Sequence, residues 1–297
     1  MLPVRLSRSL LSLVLASVGL GACARVPATS CAPLGEFPGP EDFESIEREG
    51  QTLLLVSARD RRDYDDSSDN GIWSVDPTTG ASARLQIHGR DGCWLAPHGI
   101  STVEVEPGRW ELWSINHFRN PTRDGGEVPA GQPPECAELV HGIEHYRVED
   151  DGLHFVERLT APALLTNPNE LDVLPDGRLW LSNNPEWPGG KGLAADVLLH
   201  RARGQVLHRD PAAGFSVAAE GLVFPNGMYA EPGGRALWVS AAHGRYYRLE
   251  LDAAGHELSR SAHRVRPRAT LDNFFFAEDA LWVTGHPKGL ALSLIHI

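Results

Sequence analysis

Five times along the chain an apolar run closes on a small or polar residue, most often around a Leu-Trp pair. The runs are T-L-L-L-V-S-A (52–58), W-E-L-W-S-I-N-H (110–117), R-L-W-L-S-N-N (178–184), A-L-W-V-S-A-A-H (236–243) and A-L-W-V-T-G-H-P (280–287). Most follow another strand-like run and a turn: E-P-G-R before Trp110, L-P-D-G-R before Leu179, E-P-G-G-R before Ala236. Most lead into a further β run, at 71–76, 145–149, 197–201 and 246–251. Proline, glycine and aspartate between alternating runs mark turns between strands. No segment holds a sustained helical period. Short strands recurring every 40–65 residues or so predict an all-β fold, a β-propeller with long loops. A β-sandwich has no reason to repeat Leu-Trp at this spacing. In a propeller the inner strands end at one mouth of a central channel, so residues at equivalent strand ends converge there.

The clearest hairpin runs from Cys93 to His117. Pro107-Gly108 forms its turn, so His98 at the start of one strand lies beside His117 at the end of the other. Two adjacent imidazoles can form a general-base pair; two capping histidines are the plainer alternative.

Composition narrows the setting. A length of 297 residues allows one large β domain, and 30 glycines with 22 prolines suit a turn-rich β protein. A net charge of −12 argues against a nucleic-acid surface and favours cations. The N-terminus reads as an address. Arg5 and Arg8 precede an apolar stretch, Leu10–Leu20, of signal-peptide length and too short to span a membrane. Leu20-Gly21-Ala22-Cys23 resembles a bacterial lipobox, cleaved before a cysteine that is then lipidated. The expected organisation is a signal peptide over 1–22, a tether over 23–35 and a propeller over 36–297. Cys23 would anchor the protein in the bacterial envelope, and Ala24 favours the outer membrane, facing the periplasm. Cys31, Cys93 and Cys136 remain in an oxidising compartment; three allow one pair, with Cys93–Cys136 favoured. The Asp-rich loop at 60–70 lacks the glycine and closing glutamate of an EF-hand. The Pro/Gly-rich 120–136 segment reads as an insertion over one face. The chain ends in what reads as mid-strand, an expectation of truncation in the last blade; L-S-L-I-H-I (292–297) could even be translated adapter.

Four segments place Asn, Asp or Glu just before a blade-like unit: G-P-E-D-F-E (39–44), N-P-N-E-L-D-V (167–173), F-P-N-G-M (224–228) and L-D-N-F-F (271–275). Each alone is an ordinary turn. Together they would deliver carboxylate and amide oxygens to the end of the channel that holds His98, a donor set for a hard cation, Ca²⁺ above all. No Cys/His spacing fits zinc.

These residues resemble the paraoxonases, calcium-dependent arylesterases and lactonases built as six-bladed propellers. P-H-G-I-S-T (97–102), I-N-H (115–117), N-E-L (169–171), F-P-N-G (224–227), L-D-N (271–273) and G-H-P-K-G (285–289) occur in the family's order, over about residues 31–290. F-P-N-G is shared with the gluconolactonase propellers. The resemblance implies two calcium ions. Glu41, Asn169, Asn226, Asp272 and Asn273 would hold the catalytic ion; Asp42, the Ile100 carbonyl and Glu170 would hold a structural one. Glu170 stands where the family has Asp. His98 and His117 match the family's catalytic pair, and His286 matches a pocket histidine. The family supports its second histidine from an N-D-H run, where this chain has Asn183-Asn184-Pro185. Cys31 matches one half of a ring-closing disulfide whose partner would lie past residue 297.

The chemistry so implied is hydrolysis of a small ester or lactone, with calcium polarising the carbonyl and the histidine pair activating water. No G-x-S-x-G elbow suggests a serine nucleophile. The alternatives are a gluconolactonase-like sugar lactonase and a non-catalytic envelope propeller.

Overall fold

The structure, a computed structural model, describes residues 34–35, 37–60, 69–118, 133–136, 138–185, 191–265, 270–277 and 280–286. The signal segment, Cys23, most of the tether, Cys31, the core of the Asp-rich loop, most of the 120–136 segment and residues beyond 286 lie outside it.

The chain is an all-β propeller. The first sheet runs β1 (Pro40–Arg48), β2 (Gln51–Ala58), β3 (Gly71–Val75), β4 (Ser82–Arg84). The second contains β5 (Ile87–His88), β6 (Pro97–Glu106), β7 (Arg109–His117), β8 (His141–Glu149) and β9 (Gly152–Leu159), ordered β5-β9-β8-β7-β6. The third runs β10 (Pro168–Val173), β11 (Leu179–Asn183), β12 (Gly204–Asp210), β13 (Gly214–Leu222). The fourth runs β14 (Pro225–Ala230), β15 (Ala236–Ala241), β16 (Arg245–Leu251), β17 (Glu257–Arg264), and β18 (Thr270–Ala277) pairs with β19 (Ala280–His286). Except for the parallel β5–β9 pair at the edge of the second sheet, neighbouring strands are antiparallel. The inner strands pack on one another in the succession β1, β6, β10, β14, β18.

The Leu-Trp repeat has a simple cause. Successive strand residues face opposite sides of a sheet, and each full blade is covered on both sides. Leu112 packs with Ile46, Leu55 and Ile72 of the preceding blade, while Trp113 turns to Leu171, Val173 and Leu179 of the next. Leu179 and Leu181 face back to the second blade; Trp180 faces forward to Leu237 and Val239. Leu237 again faces back, and Trp238 lies tilted against Tyr246, itself edge-on to Phe274 of β18. Each of these side chains that is buried contributes roughly 1.5–3 kcal/mol, so the dipeptide ties the second and third blades to both neighbours.

Two sequence expectations need correction. The 197–201 run is not a strand: a short helix, α1 (Lys191–Leu198), and a turn occupy it, and the strand begins at Gly204. An apolar V-L-L run reads alike in a short helix and a short strand. The strand expected at 145–149 starts four residues earlier, at His141. Cys93 and Cys136 form a disulfide, with Cα atoms 5.5 Å apart.

Candidate active site

Every inner strand is bulged near its start. Pairing steps from Pro40 to Asp42 in β1, Pro97 to Ile100 in β6, Pro168 to Leu171 in β10, Pro225 to Met228 in β14 and Leu271 to Phe274 in β18. The residues left out of the ladder are Glu41; His98 and Gly99; Asn169 and Glu170; Asn226 and Gly227; Asp272 and Asn273. A bulge re-aims side chains that regular pleating would send to the blade faces. Four of the strands open on proline, tolerated at a first strand position because no ladder N–H is lost. Two glycines allow close approach of neighbouring strands. A Cβ on Gly99 would lie 2.5 Å from the Asn169 carbonyl, and one on Gly227 2.3 Å from the Asp272 carbonyl.

The approach loops are pinned as well. Asn116, at the end of β7, accepts the Ala96 N–H at 2.6 Å and donates to the Trp94 carbonyl at 2.9 Å. Asn183, in the matching place on β11, accepts from Thr166 and Asn167 and donates to the Leu164 carbonyl. These buried amides fix the entries that deliver His98 and Asn169.

Asp42 is the hub. Its Oδ2 accepts the Ile100 N–H at 2.9 Å, and its Oδ1 accepts from the Asn273 amide, tying β1 to β6 and β18. Glu170 is buried beside it; its Oε1 accepts the Leu171 N–H at 2.9 Å. Asn226 donates to Asp272 Oδ1 at 2.8 Å. One turn further in, Asp172 accepts from Ser101 at 3.1 Å and from the Ala230 N–H at 2.5 Å, bridging β10 to β6 and β14. Desolvation pushes Asp42 and Asp172 up to about 6. Desolvation, and then the charge of Asp42, hold Glu170 and Glu44 well above the ordinary carboxylate range. Asp42, Glu44 and Asp172 keep some contact with solvent, as residues of a channel do.

The histidines lie at the same end. The His98 and His117 rings meet edge to face with centroids 5.0 Å apart. His98 Nδ1 is 3.7 Å from Glu41 Oε2, and Arg59 approaches Oε1 of the same carboxylate at 3.8 Å. The two rings thus lie side by side, and Glu41 adjoins His98. Sequence reasoning missed a third member. His141 opens β8 directly across from His117, and their Nδ1 atoms are 2.7 Å apart. A hydrogen bond between two ring nitrogens needs one donor and one acceptor, so at least one ring is neutral. The expected supporting position, Asn184, points elsewhere: its amide donates to the Pro225 carbonyl at 3.1 Å. The signal for His141 lay in the register of β7 against β8, which no spacing rule discloses. His286 ends β19, opposite Thr270; its side chain lies outside the described residues.

Two observations test whether these residues suit calcium. Asn226 is 7 % exposed, and its Oδ1 is buried without a hydrogen-bond partner. Asp42 and Glu170 are carboxylates held together against desolvation and mutual repulsion. A hard divalent cation takes such oxygens and offsets such charges, so the donor set fits. Just ahead of Asn226, Phe224 is held at φ 50°, a left-handed conformation disfavoured for a bulky residue.

No family model matches the chain, and no curated protein matches it in sequence. Solved structures do. The PQQ-bound aldose sugar dehydrogenase of Streptomyces coelicolor aligns at TM-score 0.50 and 15% identity, over 84% of this chain and 75% of that one. A candidate gluconolactonase aligns at 0.49 and 18%, over 86% and 74%. The calcium-binding protein regucalcin from Agrobacterium tumefaciens aligns at 0.45 and 11%, over 83% and 67%. At such identities the likeness concerns the propeller fold.

Proposed function

We propose that the protein is a calcium-dependent hydrolase of small esters or lactones, of paraoxonase type, on a six-bladed propeller. The observation that carries this reading is the convergence, at one end of the channel, of a histidine pair with an oxygen-rich set of bulged residues. Glu41, Asn169, Asn226, Asp272 and Asn273 would hold a catalytic calcium; Asp42, the Ile100 carbonyl and Glu170 would hold a second. A calcium ion bound there supplies Lewis acidity toward a carbonyl oxygen and its developing negative charge.

The side chains supply the rest. His98 sits beside Glu41, at the border of the oxygen cluster, where it takes a proton from water as the water attacks an acyl carbon. Its general-base role requires a neutral ring and an aligned nitrogen. His117, packed edge-on to His98, fixes that ring and limits where its proton can go. His141 holds His117 through Nδ1, so the opposite nitrogen, Nε2, is the one left for proton exchange. The carboxylate of Glu41 favours the protonated His98 that forms during attack. After attack, the imidazolium returns its proton to the departing oxygen.

The test is turnover of phenyl acetate and of a panel of acyl and sugar lactones. Stripping calcium with EDTA should abolish turnover and adding it back should restore it. His98→Gln should lower kcat by roughly 10²–10⁴-fold. Full activity after both treatments would refute the proposal; preference for sugar lactones would move the protein to a gluconolactonase-like specificity.

A further inference from the structure

Outside the channel, a second cluster has the chemistry of a metal centre. His88 of β5 and His154 of β9 are registered against each other in the parallel pair at the edge of the second sheet. Their rings stack with centroids 4.7 Å apart and planes 28° from parallel. Both Nε2 atoms converge on Asp151, in the turn that precedes β9. His154 Nε2 is 2.8 Å from Asp151 Oδ1, and His88 Nε2 is 3.6 Å from Oδ2 and 3.1 Å from the Asp151 carbonyl oxygen. The ligand atoms of the three residues all lie within 4.8 Å of one another. Zinc binds nitrogen and oxygen at about 2.0–2.2 Å in a tetrahedron, which sets ligand atoms about 3.3 Å apart; the separations here bracket that value.

We propose that His88, Asp151 and His154, with the Asp151 carbonyl as a fourth donor, form a binding site for Zn²⁺ or a similar borderline divalent ion. Two imidazoles and one carboxylate select this class over calcium, which takes oxygen ligands. The histidines stand on paired strands, so their spacing is set by the ladder. The turn that carries Asp151 is held too: Arg48 donates to the Glu149 carbonyl at 2.9 Å and ion-pairs with Asp150. Asp150 is thereby engaged, and the open face of the site is left to solvent. The site is independent of the channel, since its ligands belong to the outer strands of the blade. Its consequence is structural. It would clip residue 88 to residues 151 and 154, closing a loop that contains His98 and His117, and such closure stabilises most when the loop is long.

The experiment starts from protein stripped with EDTA and refilled with saturating calcium, so that the channel is occupied. Zinc chloride is then titrated calorimetrically, with Co²⁺ absorption as a reporter of tetrahedral geometry. We expect one equivalent of zinc, bound tighter than about 10 μM, and a rise in Tm with zinc. His88→Ala and His154→Ala should each weaken zinc at least about tenfold, and Asp151→Asn should weaken it less. All three should leave calcium binding unchanged, which also verifies folding; the rings are 30% and 32% exposed, so their loss leaves the core intact. Undiminished zinc binding in the double histidine variant, or no binding below about 100 μM, would overturn the assignment.

Discussion

At the scale of single residues, the point of interest is a substitution of roles. Where a carboxylate was expected to support the second histidine, the chain offers Asn184, and its amide is committed to the Pro225 carbonyl. The support comes instead from His141, with Nδ1 2.7 Å from that of His117. An imidazole orients its neighbour and fixes its tautomer but carries no fixed negative charge, so it stabilises an imidazolium less than aspartate would. His141→Phe should therefore lower kcat by roughly 10–100-fold with little change in KM, and should alter the pH profile of kcat. His141→Asn, which keeps a hydrogen bond to His117, should recover part of the loss. Equal damage from both variants, with an unchanged pH profile, would reduce His141 to packing. The other end of the pair is Glu41, which adjoins His98; in the proposed mechanism this one side chain would link proton transfer to the ion site.

Among the elements, the inner strands set the geometry. Each leaves one or two residues out of its ladder on a bulge, and two of the bulges nest because glycine stands where two backbones come closest. At Gly227 a methyl group would meet the Asp272 carbonyl at 2.3 Å and the Asn273 Cα at 2.4 Å. Gly227→Ala should push β18 from β14, cost about 1–3 kcal/mol in stability, and weaken calcium more than a distant substitution of equal cost. Gly214→Ala, where nothing lies within 4 Å but φ, unlike that of Gly227, is positive, is the contrasting case of backbone strain without crowding. The elements were also the most legible feature of the chain. The five apolar runs map onto β2, β7, β11, β15 and β19, four of them with a Leu-Trp pair, because residues that must cover two blade faces leave a period-two trace. The hairpin that joins His98 to His117 was legible for the same reason. What escaped was long-range register: His141 against His117, and His88 against His154. Neither pair sits at a fixed spacing, and both depend on which strands meet and in what alignment. The helix over 191–198 escaped because eight residues are too few to show a period.

At the scale of the whole molecule, stability should depend on acidity through two histidines far from the channel. His145, stacked on Trp113, and His208, stacked on Trp180, are held below the usual histidine range by desolvation; Glu111 partly offsets this at His145. The unfolded chain therefore binds more protons than the folded one below the unperturbed value of about 6.5. Stability from these groups is complete above that pH and is lost as pH falls through their lowered folded values. In saturating calcium, which suppresses the opposite titration of the raised channel carboxylates, Tm should drop by roughly 2–5 °C between pH 7.5 and 5. His145→Gln with His208→Gln should flatten that slope whatever it does to Tm at pH 7.5. A slope as steep as that of the parent would show that other groups govern the acid limb.

The amide of Asn273 on the carboxylate of Asp42 has one more consequence. These residues are 231 positions apart, yet the bond latches the first inner strand to the fifth across the rim. On the proposed reading the seam and the ion pocket would be the same place: loosening the cation would slacken the contact between these strands, and parting the strands would scatter the ligands. The proposed catalysis and the joining of these two strands would then rise and fall together, as parts of one hinge-and-clasp.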